Sequence, residues 1–88
     1  MADLIVARPA FRSIEDAFYR RLVTAIVAAR KAAGVRQADL AVSLGKPQSF
    51  VSKVEQLERR LDVGEYVAWT RAIGADPVVM LEAAIDAR

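Results

Sequence analysis

The sequence predicts an all-α domain of five helices behind a short N-terminal arm, over 88 residues. Three observations carry that expectation. Alanine, leucine, valine and isoleucine recur at helical spacing, and no pair of alternating segments offers itself as a sheet. Gly34, Gly45 and Gly74 each close a periodic segment, where a helix uses a left-handed residue to stop. Pro47 and Pro77 each stand in the first turn of the next helix, where a missing N–H costs nothing.

Residues 1–12 read as the arm: Leu4-Ile5-Val6 is β-prone and Pro9 breaks a helix. The folded domain takes residues 13–88. Its first helix opens at Ser13, with Asp16 three residues on resembling a capping box. Ile14, Phe18, Leu22, Ile26 and Ala29 form its apolar stripe, Val23 and Val27 widen it, and the helix ends near Ala33. A second helix over about 37–44 carries Leu40, Ala41 and Leu44. A third begins at Pro47 or Gln48 and carries Val51, Val54 and Leu57. Asp62 with Glu65 caps a fourth, which presents Tyr66, Val67, Trp69 and Ile73 and stops at Gly74. Asp76-Pro77 opens a fifth, with Val78, Leu81 and Ile85 on one stripe.

Composition removes several classes of function. Hydrophobic residues make up 55% of the chain, enough for a packed interior and too many for a disordered one. Cysteine, histidine and asparagine are absent from the sequence. Disulfides, thiolate or imidazole metal sites and Ser-His or Cys-His nucleophile pairs are thereby excluded. No pair of carboxylates suggests acid–base work, so no catalytic residue, metal or cofactor is expected. Glu15, Asp16, Glu82 and Asp86 read as caps and surface. No segment reaches the roughly 18–20 apolar residues of a membrane span, and no secretory signal is evident. A cytoplasmic protein is expected.

Charge is unevenly spread. The net charge is +2, yet residues 30–60 hold seven Lys/Arg against three acids, giving +4, and the remainder carries −2. A positive zone on a mildly negative body suits a polyanionic partner.

That zone holds the informative pattern. Two short helices joined by a three- or four-residue turn containing glycine pack only if their crossing point is small and their facing positions are apolar. Between residues 37 and 56, Ala41 supplies the small residue, Gly45 the turn, and Leu40, Leu44, Val51 and Val54 the shared core. Gln48, Ser49, Ser52 and Lys53 are left on the outer face of the second helix of the pair. All four donate hydrogen bonds, and all but the lysine also accept them.

In these residues the chain resembles the lambda-repressor and Cro-like helix-turn-helix family, also called the XRE family. The resemblance covers about Leu22 to Ile85. It rests on Gln37-x-x-Leu40-Ala41, Leu44-Gly45-x-Pro47-Gln48-Ser49-x-Val51-Ser52-x-x-Glu55, Glu58-Arg59-Arg60-Leu61-Asp62 and Ala72-Ile73-Gly74-x-Asp76-Pro77. It implies a five-helix lambda-repressor-like domain whose Gln48, Ser49, Ser52 and Lys53 face base edges. It further implies that Gln37 meets a phosphate and braces Gln48, and that Arg30 and Glu55 form a buried structural ion pair. Arg36, Lys46, Arg59 and Arg60 would add a sequence-blind hold on the phosphates. Two positions depart from the pattern. Leu57 stands where a glycine usually ends the third helix, so that helix is expected to run on past Glu58. Lys46 occupies a turn position that is often apolar.

Phe50 has two readings, contact with a thymine methyl or cover for the edge of the core, of which the second is preferred. Tyr66 and Trp69 are expected in the core rather than on a stacking platform. The expected function is sequence-specific recognition of double-stranded DNA by a transcriptional regulator, a repressor acting by occupancy of a palindromic operator, since 88 residues leave no room for an effector domain. The protein would then lie on the nucleoid when bound. A homodimer is expected through Val78, Leu81 and Ile85, assisted by Leu4-Ile5-Val6 of the arm. The alternative is an antitoxin or adaptor of the same fold that grips a protein partner, with DNA binding secondary.

Overall fold

The computed structural model describes the backbone of residues 9–87 and the side chains of residues 17–87. Five helices make up the described chain: α1 (Pro9–Ala32), α2 (Gln37–Leu44), α3 (Gln48–Glu55), α4 (Val63–Ala72) and α5 (Pro77–Asp86). Helices α2, α4 and α5 match the expected segments to within a residue or two, and α3 matches at its start.

The start of α1 differs. Pro9 does not break the helix but opens it, four residues before Ser13. A proline's fixed φ suits the first helical turn, and the N–H it lacks has no intrahelical partner there. The chain is already helical at Ser13, so no helix start exists there for Asp16 to cap. Leu4-Ile5-Val6 lies outside the described residues.

The second correction concerns the end of α3. The helix does not run past Glu58. It stops at Glu55, with Gln56 as its last half-helical residue and Leu57 at φ 65. Leu57 N–H donates to the Val54 carbonyl at 3.0 Å and Glu58 N–H to the Lys53 carbonyl at 2.8 Å. This is the paired 5→2 and 6→1 closure usually completed by glycine, here completed by a leucine in a conformation unfavourable for any residue with a Cβ. Gly45 closes α2 in the same way, its N–H bonding Val42 and that of Lys46 bonding Ala41.

Both expected caps near the C-terminus form. The Asp62 side chain accepts from Glu65 N–H at 2.7 Å while the Glu65 carboxylate accepts from Asp62 N–H at 3.0 Å. Asp76 accepts from the N–H groups of Val78 and Val79.

The helices enclose one core. Ile26, Leu40, Val51, Val54 and Trp69 are fully buried at its centre. There α2 packs on α3 and α4, α1 on α3 and α5, and α4 on α5. Polar contacts fix the periphery. Tyr66 Oη donates to the Pro77 carbonyl at 2.6 Å, tying α4 to the start of α5. Arg21 Nε donates to Ala84 O at 3.0 Å, placing a cation on a carbonyl of the last turn of α5. Leu61 N–H donates to Tyr19 Oη at 3.1 Å and holds the α3–α4 loop to α1.

Candidate nucleic-acid interface

The α2–turn–α3 unit is built as its residues dictate. Residues 45–47 make the turn; Ala41, 3% exposed, lets the two helices approach, and Leu40, Val51 and Val54 are fully buried between them and the rest of the core. Burying positions 51 and 54 turns the opposite side of α3 outward. Gln48, Ser49 and Lys53 are exposed there, and Ser52 is half-buried. Gln56, not singled out from the sequence, extends the same exposed face, as helical spacing from Ser52 and Lys53 would have indicated.

A chain of polar contacts runs from the interior to that face. Arg30 holds Glu55 with a bidentate pair, Nε to Oε2 at 2.6 Å and Nη2 to Oε1 at 3.0 Å, and both side chains are 8% exposed. Arg30 Nη1 also donates to the Val35 carbonyl at 2.8 Å. Gln37 Nε2 donates to Glu55 Oε1 at 2.8 Å, and Gln48 Nε2 to Gln37 Oε1 at 3.4 Å. The link at Gln48 is long and exposed, so Gln48 is braced yet free to re-pair. The buried Arg30–Glu55 pair thus locates the N-terminal turns of both α2 and α3.

The candidate phosphate contacts are less uniform. Arg36 sits before α2 and pairs with Asp39 at 3.0 Å on the open surface. Hydrogen bonding to Arg36 holds the Asp39 carboxyl below the usual carboxylate range. Arg59 pairs with Glu65 at 2.7 and 3.0 Å, and this contact, followed by the Asp62 N–H, lowers the Glu65 carboxyl. Such exposed pairs are weak, so both arginines can exchange carboxylate for phosphate.

Lys46 and Arg59 come together over one ring. Lys46 Nζ lies 5.2 Å and the Arg59 guanidinium 4.7 Å from the centre of Phe50. Phe50 itself is 9% exposed and packs 6.4 Å from Trp69 at an interplanar angle of 55°, so it covers the edge of the core. Arg60 turns away from Arg59 towards α1, 4.6 Å from the Tyr19 ring. These groupings join residues from the turn, α3, the loop after it, α4 and α1, and apart from Lys46 and Phe50, four residues apart, no local spacing announced them.

Of the three residues expected at a dimer contact, Val78 and Ile85 are well exposed on α5 and Leu81 is half-buried beneath them. Val79 is exposed beside them.

The helix-turn-helix family model HTH_3 matches residues 26–79, which span the end of α1 through the start of α5. The chain belongs to the XRE-family helix-turn-helix proteins. Among solved structures, this XRE-family chain is similar to an XRE-family like protein from Pseudomonas syringae pv. tomato str. DC3000. The two share 46% identity and superpose with a TM-score of 0.85, over 89% of this chain and 95% of the other. No curated protein matches. Membership makes this a DNA-binding regulator fold. Among the described residues no helix is long and apolar enough to cross a membrane.

Proposed function

We propose that the protein is a sequence-specific, double-stranded-DNA-binding transcriptional repressor that occupies a palindromic operator as a homodimer. The observation that carries this reading is the braced polar face of α3. Gln48 is braced through Gln37 to a buried ion pair, Ser49 and Lys53 stand open beside it, and Ser52 is half-buried between them. A face held this way suits base readout: glutamine pairs bidentately with adenine, lysine donates to guanine acceptors, and serine serves either. Gln37 and Arg36 at the start of α2, Lys46 in the turn, and Arg59 and Arg60 after α3 supply phosphate contacts. The mechanism is occupancy in the cytoplasm, on the nucleoid, and requires no cofactor. One recognition helix covers only a few base pairs, so useful specificity calls for two copies with half-sites about 34 Å apart.

Selection of bound sequences from random duplex DNA tests the proposal. A palindromic consensus is expected; recovery of no consensus would overturn it. The exposed valines of α4 and α5 favour one second reading, an antitoxin or adaptor that uses this side for a protein partner. That reading gains if the protein co-purifies in stoichiometric amounts with the product of a neighbouring gene and binds DNA only in that complex.

A further inference from the structure

An apolar trough of about 530 Å³ lies between α1, α4 and α5. Phe18, Leu22 and Ile26 of α1, Tyr66 and Val67 of α4 and Leu81 of α5 are among its walls. Asp62 and Val63 stand at one end of α4 and Arg71 near the other, about 13 Å apart at the helical rise. Val78, which also lines the trough, begins a ridge on α5 with Val79 and Ile85, the three being 62%, 58% and 55% exposed. Glu82 lies within that ridge, one turn from Val78 and one from Ile85. Arg71 and Glu82 are both exposed, and neither has an ion-pair partner among the described residues.

We propose that the trough receives α5 of a second copy of this chain, with Glu82 of the partner subunit paired to Arg71. The proposal rests on the dimeric reading above and gives it a register. A ridge next to a trough on the same surface is what a two-fold contact requires, because one rotation seats each ridge in the other copy's trough. It also makes the charge contact twice. No residue of α2 or α3 lines the trough, so the α3 face stays open to DNA.

Two other occupants fit less well. The arm's own Leu4-Ile5-Val6 is three to five residues from Pro9 and so reaches about 10–17 Å from it. The trough extends along α1 from Phe18 to Ile26, about 14–26 Å from Pro9 at the helical rise. The arm's apolar residues would therefore cover only its first turn. A small apolar molecule would fill the trough and leave Val79 and Ile85 in water.

The test is a charge swap read by sedimentation equilibrium over about 1–100 µM, the span in which modest dimers dissociate. Wild type, Arg71→Glu, Glu82→Arg and the double variant carrying both changes are compared, with circular dichroism to confirm that each is folded. Each single change sets like charges opposite each other and is expected to weaken dimerisation at least tenfold. The double change is expected to restore it to within about threefold of wild type, as the reversed pair regains its attraction. Single changes without effect, or a double variant no better than the singles, overturn the inference while leaving the dimer itself standing. Dimerisation that ignores the swap but is lost on deleting residues 1–8 would put the arm in the trough instead. A wild type that stays monomeric throughout overturns both this inference and the dimeric reading.

Discussion

Replacing Glu55 by alanine tests whether the buried ion pair holds the recognition unit together. The change leaves the Arg30 guanidinium almost wholly enclosed with a single acceptor, the Val35 carbonyl at 2.8 Å. Two of its three hydrogen bonds and its counter-charge disappear, and Gln37 loses the acceptor that orients it. Breaking a buried pair from one side costs on the order of 3–5 kcal/mol. In a domain of this size each kcal/mol moves the melting temperature by about 4–8 °C, so a fall of at least about 12 °C is expected. Urea unfolding followed by circular dichroism measures the loss directly, provided the slope of the transition is unchanged. The comparison that matters is the double variant Arg30→Met, Glu55→Leu. With no charge left to strand, it is expected to recover most of the lost stability. Its fold then survives while Gln37 is unheld, so preference at the base pair proposed for Gln48 is expected to relax. A single variant that loses less than about 1 kcal/mol, or a double variant as unstable as the single, would refute the reasoning, since 1 kcal/mol is the scale of an ordinary exposed pair.

Binding is expected to weaken steeply with salt, each neutralised phosphate adding about −0.9 to the logarithmic slope; a flat salt series would remove the phosphate argument. Gln48→Ala is expected to cost about 1–3 kcal/mol on the preferred site and blur one or two base pairs, whereas Lys46→Ala weakens all sequences alike. Competition binding against a panel of site variants separates the two, and unchanged preference in Gln48→Ala would mean the reading face is misassigned. The double variant Val78→Glu, Leu81→Glu is expected to be a folded monomer by sedimentation equilibrium, and persistent dimers would exclude α5 as the contact. At Leu57, where φ is 65, glycine is expected to be more stable than alanine by about 0.5–1 kcal/mol, the reverse of their order within a helix. Alanine equal to or better than glycine in urea unfolding would show that the left-handed turn is not maintained in solution.

Most helix ends are legible in the sequence because they are written in local chemistry. Gly34, Gly45 and Gly74 adopt positive φ, and Asp62 and Asp76 accept the N–H groups that their helices leave open. The start of α1 is not legible because proline has two opposite meanings, breaker in a helix interior and opener at its first turn. Leu57 misleads for a related reason. Leucine is a strong helix former, and propensity alone continues α3 past Glu58. Tertiary demands outweigh it: Val51 and Val54 must face inward and Glu55 must meet Arg30, and the chain has then to turn towards Tyr19 and α4.

The electrostatics show the same boundary between local and distant information. By residue count the +4 zone over residues 30–60 is uniformly available to a polyanion, but Arg30 is committed internally to Glu55. Arg36 and Arg59 are held by Asp39 and Glu65 respectively. The Asp39 contact lies three residues from its partner and is open to inference from helical spacing; the Glu65 contact crosses a loop and is not. Lys46 and Lys53 make no ion pair among the described residues, so they carry the field that an approaching duplex meets first. Arg36 and Arg59 join only by releasing a carboxylate. The Arg30–Glu55 and Arg36–Asp39 pairs are already netted within that +4, so pairing changes the contact rather than the long-range field: the guanidinium groups of Arg36 and Arg59 are a reserve committed where register on the phosphates is set.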